Sequence, residues 1–461
     1  MEELVPFPSV PISIEKIAIF KNAPQGVMTT NSTPNQTTLI MTPYPKLRYL
    51  EAIPLPSENE YTVDAGKSKT FALRDPSGLA EDMIVVSAEA LFVLQFFDGK
   101  HSLLDIRTEF QRTFGAGLPE ERLQQLVTEL ERAHLLEGEV FQDYLKKLEQ
   151  QMLAQPLRKS AHAGTSYPAD PKILREQLDG FYRPPLGAGM PNGPLHGAAK
   201  KKPVLAAVAP HIDLRVGGPC YTFTYRALAE AEPADIYVIL GTGHSGLLNC
   251  FSCLPQDFAT PLGVVKHDAE FIAALRRRHK HELFAEPLPH RTEHTIEFQT
   301  VFLQHLFGGK RNFTIVPILC SYAYLMLTDG RFSREKKIIQ DFAPALRATI
   351  AAEKRRVCVI ASVDFSHVGP RYGERQAPDA AFMQRVSAAD KNLLASIEAV
   401  DAEAFTQANA QIEDQFRVCG FAPLHTMLAS TAATHGQTLK YEQGRVDDRQ
   451  SVVSYASAVL V

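Results

Sequence analysis

The chain has 461 residues, 45% hydrophobic and 22% charged, a composition that suits a globular protein of two or three domains and excludes a disordered or fibrous chain. Its 48 basic side chains against 52 acidic ones give a formal charge of −4, so no global basic field draws a polyanion and nucleic acid is not an expected partner. Six scattered cysteines are too few to staple so long a fold, and no apolar run reaches the ~18 residues that span a bilayer, so the expectation is a cytoplasmic protein with free thiols and no membrane partner.

In chain order, residues 1–45 are rich in Pro, Thr, Asn and Ser without a sustained period, and read as a disordered tail. From Leu47 to about Arg74 short apolar pieces alternate with turn residues, and Gly66-Lys67-Ser68 sits where a hairpin would turn. Helical spacing then takes over. Ser87 is placed to cap a helix ending near Gly99, Ser102 opens a second, and Pro119 starts a third with Leu123, Leu126, Val127 and Leu130 on one face. Three short helices beside a small sheet predict a winged-helix (α+β) module over 46–140, and without a basic recognition helix its expected target is peptide or protein. Residues 141–202 form a connector and the start of the next domain, with a Pro/Gly-rich loop before Lys200.

Beyond 203 the grammar changes. PVLAAVAP, DIYVILGTG, FTIVPILCS and RVCVIASVD are continuous apolar runs separated by helix-length segments, which predicts an α/β sheet covered by helices on both faces. Ligands of such sheets bind beyond the carboxyl ends of the strands, where this chain places His211, His244, Cys320 with Ser321, and Asp364 followed by His367. Imidazoles and a carboxylate at one rim suit a metal site. Each also has a plainer reading: the histidines as hydrogen-bonded loop residues, Asp364 as a turn cap. Cys250-Phe-Ser-Cys253 has no second pair at zinc-finger distance, and the basic helix end at His279-Lys-His281 complements a helix dipole, so neither is read as a metal site.

The segments AHAGTSYPADP (161–171), APHIDLRVGG (209–218), ILGTGHSG (239–246), EHTIEFQTVFLQHLF (293–307), SVDFSHVGPRYG (362–373), CGFAPLHTML (419–428) and SVVSYASAVLV (451–461) occur in the order seen in the Memo family. The resemblance begins near residue 161 and runs to the C-terminus. The N-terminal pieces FFDGKHSLLDI and LERAHLLEG are similar to PqqD-like peptide-recognition domains, and the combination resembles the AmmeMemoRadiSam subgroup of bacterial Memo proteins associated with radical-SAM enzymes. That resemblance implies the class III extradiol dioxygenase-like fold and a metal held by His211, His244 and Cys419. Iron is the first expectation, with copper or zinc as the other metals that donor set suits. It further implies acid/base or supporting roles for Asp364, His367, Glu293 and His294. The function expected is metal-dependent redox or oxygenase-like chemistry on a small molecule. Its rival is a non-catalytic scaffold or metal-delivery partner of a radical-SAM enzyme, and a DNA-binding metal sensor is disfavoured by the acidic charge balance.

The chain departs from the commoner family pattern at two positions. Ile-Asp-Leu follows His211, bringing Asp213 toward the pocket, and Ser245 follows His244 where a second histidine is common.

Overall fold

The computed structural model describes residues 43–55, 69–80, 82–191 and 203–461, together with the backbone of 18–21. The chain divides into two compact units, 1–151 and 152–461.

The first unit is built on an antiparallel sheet of β1 (Ala18–Lys21), β2 (Glu51–Pro54), β3 (Thr70–Arg74) and β4 (Asp82–Ser87) in the order β1-β4-β3-β2. β1 thus lies within the stretch expected as a tail. β2 and β3 pair as the expected hairpin, while its proposed turn at Gly66-Lys67-Ser68 lies outside the described residues. The Ser87 side chain accepts from the Ala90 amide and starts the helix Ala88–Leu94, which stops earlier than its apolar pattern: the amides of Gln95, Phe96 and Phe97 bond three residues back in tight turns, and Phe97 and Gly99 then pair with the backbone of Leu47 and Pro45. Ser102 and Asp105 cap each other reciprocally at the start of Leu103–Phe114. In the helix Glu120–Arg132 the expected face, Leu123, Leu126, Val127 and Leu130, packs with Ile84, Val86, Val93, Ile106 and Phe110 into a core belonging to this unit.

The second unit is organised around β5 (Leu157–Arg158), β6 (Ala206–Ala209), β7 (Ile236–Thr242), β8 (Phe251–Cys253), β9 (Asp257–Thr260), β10 (Gly263–His267), β11 (Thr314–Cys320), β12 (Val357–Ser362), β13 (His367–Val368), β14 (Gly436–Arg445) and β15 (Val452–Leu460). They form one sheet of order β13-β15-β6-β12-β7-β11-β10-β9-β5, with β14 paired to β15 and β8 to β11. The four expected apolar runs are its centre, β6-β12-β7-β11, all parallel. Their side chains alternate between two cores. Ile236, Val238 and Leu240 of β7 face one, with Val316 and Ile318 of β11; Tyr237 and Ile239 face the other. The first face is covered by the helices Ser333–Ala352 and Phe421–Ser430, and the second by Leu214–Glu230 and Thr295–Phe307. Strands buried on both faces lose the polar–apolar alternation of exposed sheets, which is why they read as continuous apolar runs.

The apolar runs did not announce the sheet's antiparallel flank. β15 pairs antiparallel with β6 and, through a register shift between Thr438 and Lys440, with β14. This hairpin and the short β13 close the side of the sheet next to β6.

Candidate metal centre

Parallel register explains why residues far apart in sequence meet. Ala209 pairs with Ser362, Ser362 with Gly241, and Thr242 with Cys320, so the central strands end level with one another. The residues just beyond these ends, His211, Asp364 and His244, therefore share one rim, and the order β6-β12-β7 sets Asp364 between the two histidines.

His211 is 2% exposed. Its Nδ1 lies 3.0 Å from the Ser362 carbonyl oxygen, so Nδ1–H donates there and Nε2 keeps its lone pair. Its amide donates to Asp364 Oδ1 at 3.1 Å. Burial holds the imidazole well below its ordinary pKa, reinforced by His244 and His294, so His211 is a neutral donor at pH 7.

His244 is prepared differently. Its side chain is 41% exposed, and its Nδ1 lies 3.1 Å from both oxygens of Glu293, leaving Nε2 outermost. The His244 amide also donates to Glu293, at 2.9 Å. Burial acts against protonation of His244, but the Glu293 carboxylate outweighs it and raises the imidazole pKa. Burial likewise opposes ionisation of Glu293, yet His244 and His294 hold its carboxyl well below the usual range. The His294 amide donates to Glu293 Oε1 at 2.9 Å and its Nδ1 lies 3.1 Å from the same oxygen. His244, Glu293 and His294 also lie close enough together to resemble a second metal site. Glu293 is already saturated by amide and imidazole donors, so we read this group as the orienting base of the first site.

Cys419 arrives from a separate segment just before the helix Phe421–Ser430. Its Sγ is 3.2 Å from His211 Nε2 and 3.6 Å from the Asp364 carbonyl oxygen. A Cβ at Gly420 would fall 2.6 Å from that carbonyl oxygen, so only glycine lets the segment approach β12 this closely. Of the six cysteines, Cys419 alone is partly exposed and the other five are buried. Burial raises its thiol well above the ordinary pKa, and nearby Asp364 adds to this, so a cation at the site would have to displace the thiol proton. Ligand atoms of His211, His244 and Cys419 all lie within 4.8 Å of one another; His211 Nε2 carries a free lone pair, and a divalent metal that displaced the protons of His244 Nε2 and the Cys419 thiol would fit the set.

Asp364 and His367 line the cavity beside this group, which has a volume of about 630 Å³. Burial pushes the Asp364 carboxyl up to about 7, against the pull of the His211 and Ile212 amides. His367 Nδ1 lies 3.0 Å from Phe365 O and 3.2 Å from Arg417 O, and burial lowers its imidazole to about 4, so it is a neutral base with Nε2 unprotonated. Asp213 also borders the cavity, but Arg215 grips both its oxygens and its Oδ1 caps the helix Leu214–Glu230.

Sequence reasoning missed the residues that hold the Glu293–His294 turn. Arg158, almost fully buried, donates to the carbonyl oxygens of His290 and Glu293 and pairs with Glu297, which in turn accepts from the Ala161 and His162 amides and from Tyr167. His162 Nε2 donates to Thr292 O at 2.7 Å. AHAGTSYP carried that signal as a motif, but no spacing rule points a lone arginine at a turn 130 residues away.

A family model described as Memo-like protein matches residues 158–459. A MEMO1 family protein of Aquifex aeolicus is 29% identical over 392 residues, covering 84% of this chain and 95% of its own length. That is more than the second unit holds, so the likeness extends into the first unit. MEMO1 family proteins of Methanopyrus kandleri and Methanothermobacter thermautotrophicus are 33% and 28% identical, covering 66% and 65% of this chain and 98% and 99% of themselves. With the model spanning the sheet and every residue gathered at its rim, the chain belongs to the Memo family.

Proposed function

We propose that the second unit binds a divalent metal, iron first and copper or zinc as alternatives, through His211, His244 and Cys419, and performs redox or oxygenase-like chemistry on a small molecule. The observation that carries this reading is the convergence of three ligand atoms within 4.8 Å, with each imidazole's Nδ1 already committed to a carbonyl or carboxylate. Two neutral imidazoles and one thiolate leave a net charge of +1 around a divalent ion, and when bound the metal would supply Lewis acidity and electron transfer. The thiolate replaces the carboxylate of the 2-His-1-carboxylate oxygenases, which weighs against ring cleavage by that route. Asp364, with a carboxyl poised near neutrality, exchanges protons with a molecule in the cavity, and the neutral His367 accepts one at Nε2. Glu293 fixes the His244 tautomer, and His294 presents a further imidazole beside it.

Elemental analysis of protein purified without oxygen or chelator tests this. Near-stoichiometric metal in the wild type should fall in His211→Ala, His244→Ala and Cys419→Ser, with the last losing copper or zinc more than iron. Wild type that neither contains nor takes up iron, copper or zinc would leave the scaffold reading in place.

For the first unit we propose a PqqD-like winged-helix role in a cytoplasmic system, capturing a peptide or a radical-SAM enzyme. What favours it is the sheet edge at β2, which pairs with no second strand among the described residues and lies beside the exposed Tyr49 and Ile53. Among the described residues no helix is long and apolar enough to cross a membrane. A pull-down with the full chain that returns neither class of partner would remove this role.

A further inference from the structure

The cavity at the rim has a charge pattern of its own. Arg215 is matched by Asp213, and Glu293 by the two imidazoles it orients. Arg371 also lines the cavity, and among the described residues no carboxylate lies within ion-pairing distance of it. The acid nearest it in sequence, Glu374, is already held by Arg417 and by the Gly369 amide. The backbone beneath Arg371 is fixed: its amide donates to Ser451 Oγ at 3.0 Å, and the neighbouring Tyr372 ring stands edge-on to His367 with centroids 5.1 Å apart. Val216, Val446 and Val453 supply an apolar wall, and about 630 Å³ is the size of a small-molecule pocket.

We propose that this cavity receives a small organic monocarboxylate. Its carboxylate pairs with the planar Arg371 guanidinium, its carbon skeleton lies on Val216, Val446 and Val453, and its other end faces His211, His244 and Asp364. One uncompensated guanidinium matches one negative charge, whereas a phosphate dianion would bring a second charge that no free cation of the lining meets. The proposal rests on the metal reading only for what the far end of the molecule meets.

Cys419, the one partly exposed cysteine, has its Sγ 3.2 Å from His211 Nε2 and so supplies a reporter beside that far end. Metal-stripped full chain is treated in parallel with iodoacetate, which carries a carboxylate, and with neutral iodoacetamide, and alkylation of Cys419 is followed by peptide mass spectrometry. The expected result is that the iodoacetate-to-iodoacetamide rate ratio falls about tenfold in Arg371→Gln and is partly kept in Arg371→Lys, the size of one lost charge-assisted hydrogen bond. Benzoate should slow both alkylations in the wild type more than benzamide or phenyl phosphate does. A ratio unchanged in Arg371→Gln, or protection by phenyl phosphate exceeding that by benzoate, overturns the carboxylate assignment. So does an equal effect of benzamide, or no protection by any of the three. If the wild type takes up no metal yet shows the charge preference, the metal reading falls and the carboxylate site stands; metal uptake without the preference gives the converse.

Discussion

The rim beyond β6 and the rim beyond β7 each present a histidine with Nε2 available, and they do it by opposite electrostatic means. His211 is buried and donates Nδ1–H to a backbone carbonyl, which has no charge to lose. His244 is half-open to solvent and donates to the Glu293 carboxylate. Asp213, two residues after His211, is occupied by Arg215 and a helix start, so a similar residue type does different work. A backbone partner fixes a tautomer rigidly and cannot be tuned by substitution, whereas a carboxylate also raises the basicity of the ring it holds.

The largest effect expected from this contrast is at Glu293. In Glu293→Gln one of the two oxygens facing His244 Nδ1 becomes an NH2 donor and the negative charge is lost, which weakens the hold on the Nδ1–H tautomer and on Nε2 as the proposed ligand atom. Affinity for added zinc, measured by chelator competition, should fall roughly 10–100-fold. Wild-type affinity in this variant would show that the carboxylate does not set the tautomer.

A second effect is a pair of opposite pH dependences in metal-free protein. His211 has a lowered folded pKa, so the unfolded chain binds its proton first and the wild type is penalised as pH falls below about 6.5. His244 has a raised folded pKa, so its contribution is present below about 6.5 and is lost as pH rises through the raised value. Urea midpoints should therefore show His211→Gln gaining on the wild type upon acidification, and His244→Gln gaining upon alkalinisation. Parallel curves for the two variants would erase the distinction drawn between the loops.

The smallest effect is at Asp213. Asp213→Ala removes a helix N-cap and should cost about 1 kcal/mol in chemical denaturation while leaving zinc affinity as in the wild type. A fall in affinity as large as that of Glu293→Gln would place Asp213 in the metal's surroundings.

Much of the central sheet was legible because strands buried on both faces leave continuous apolar runs, and the residue after each run is at the rim whatever its neighbours are. His211, His244 and Asp364 follow from that rule alone. Cys419 does not: it lies 208 positions from His211, at the start of a buried helix, where a cysteine ordinarily packs. Family resemblance pointed to it, as it did to Glu293 and His294. The β14–β15 hairpin escaped the reading of apolar runs, and so did Arg158, whose partners are carbonyl oxygens that no side-chain pattern records.

By itself the sequence determined the parallel α/β core, the capped helices of the first unit and the histidines at the strand ends, because these depend on local periodicity and on interactions a few residues long. The tertiary structure decided which nitrogen each histidine presents, that Gly420 brings the Cys419 sulfur to His211, and that Arg371 is left without an acid while Arg215 is not. Those outcomes depend on hydrogen bonds, burial and charge pairing between segments remote in the chain. Tautomer, pKa and net charge are set by surroundings that only the folded chain assembles.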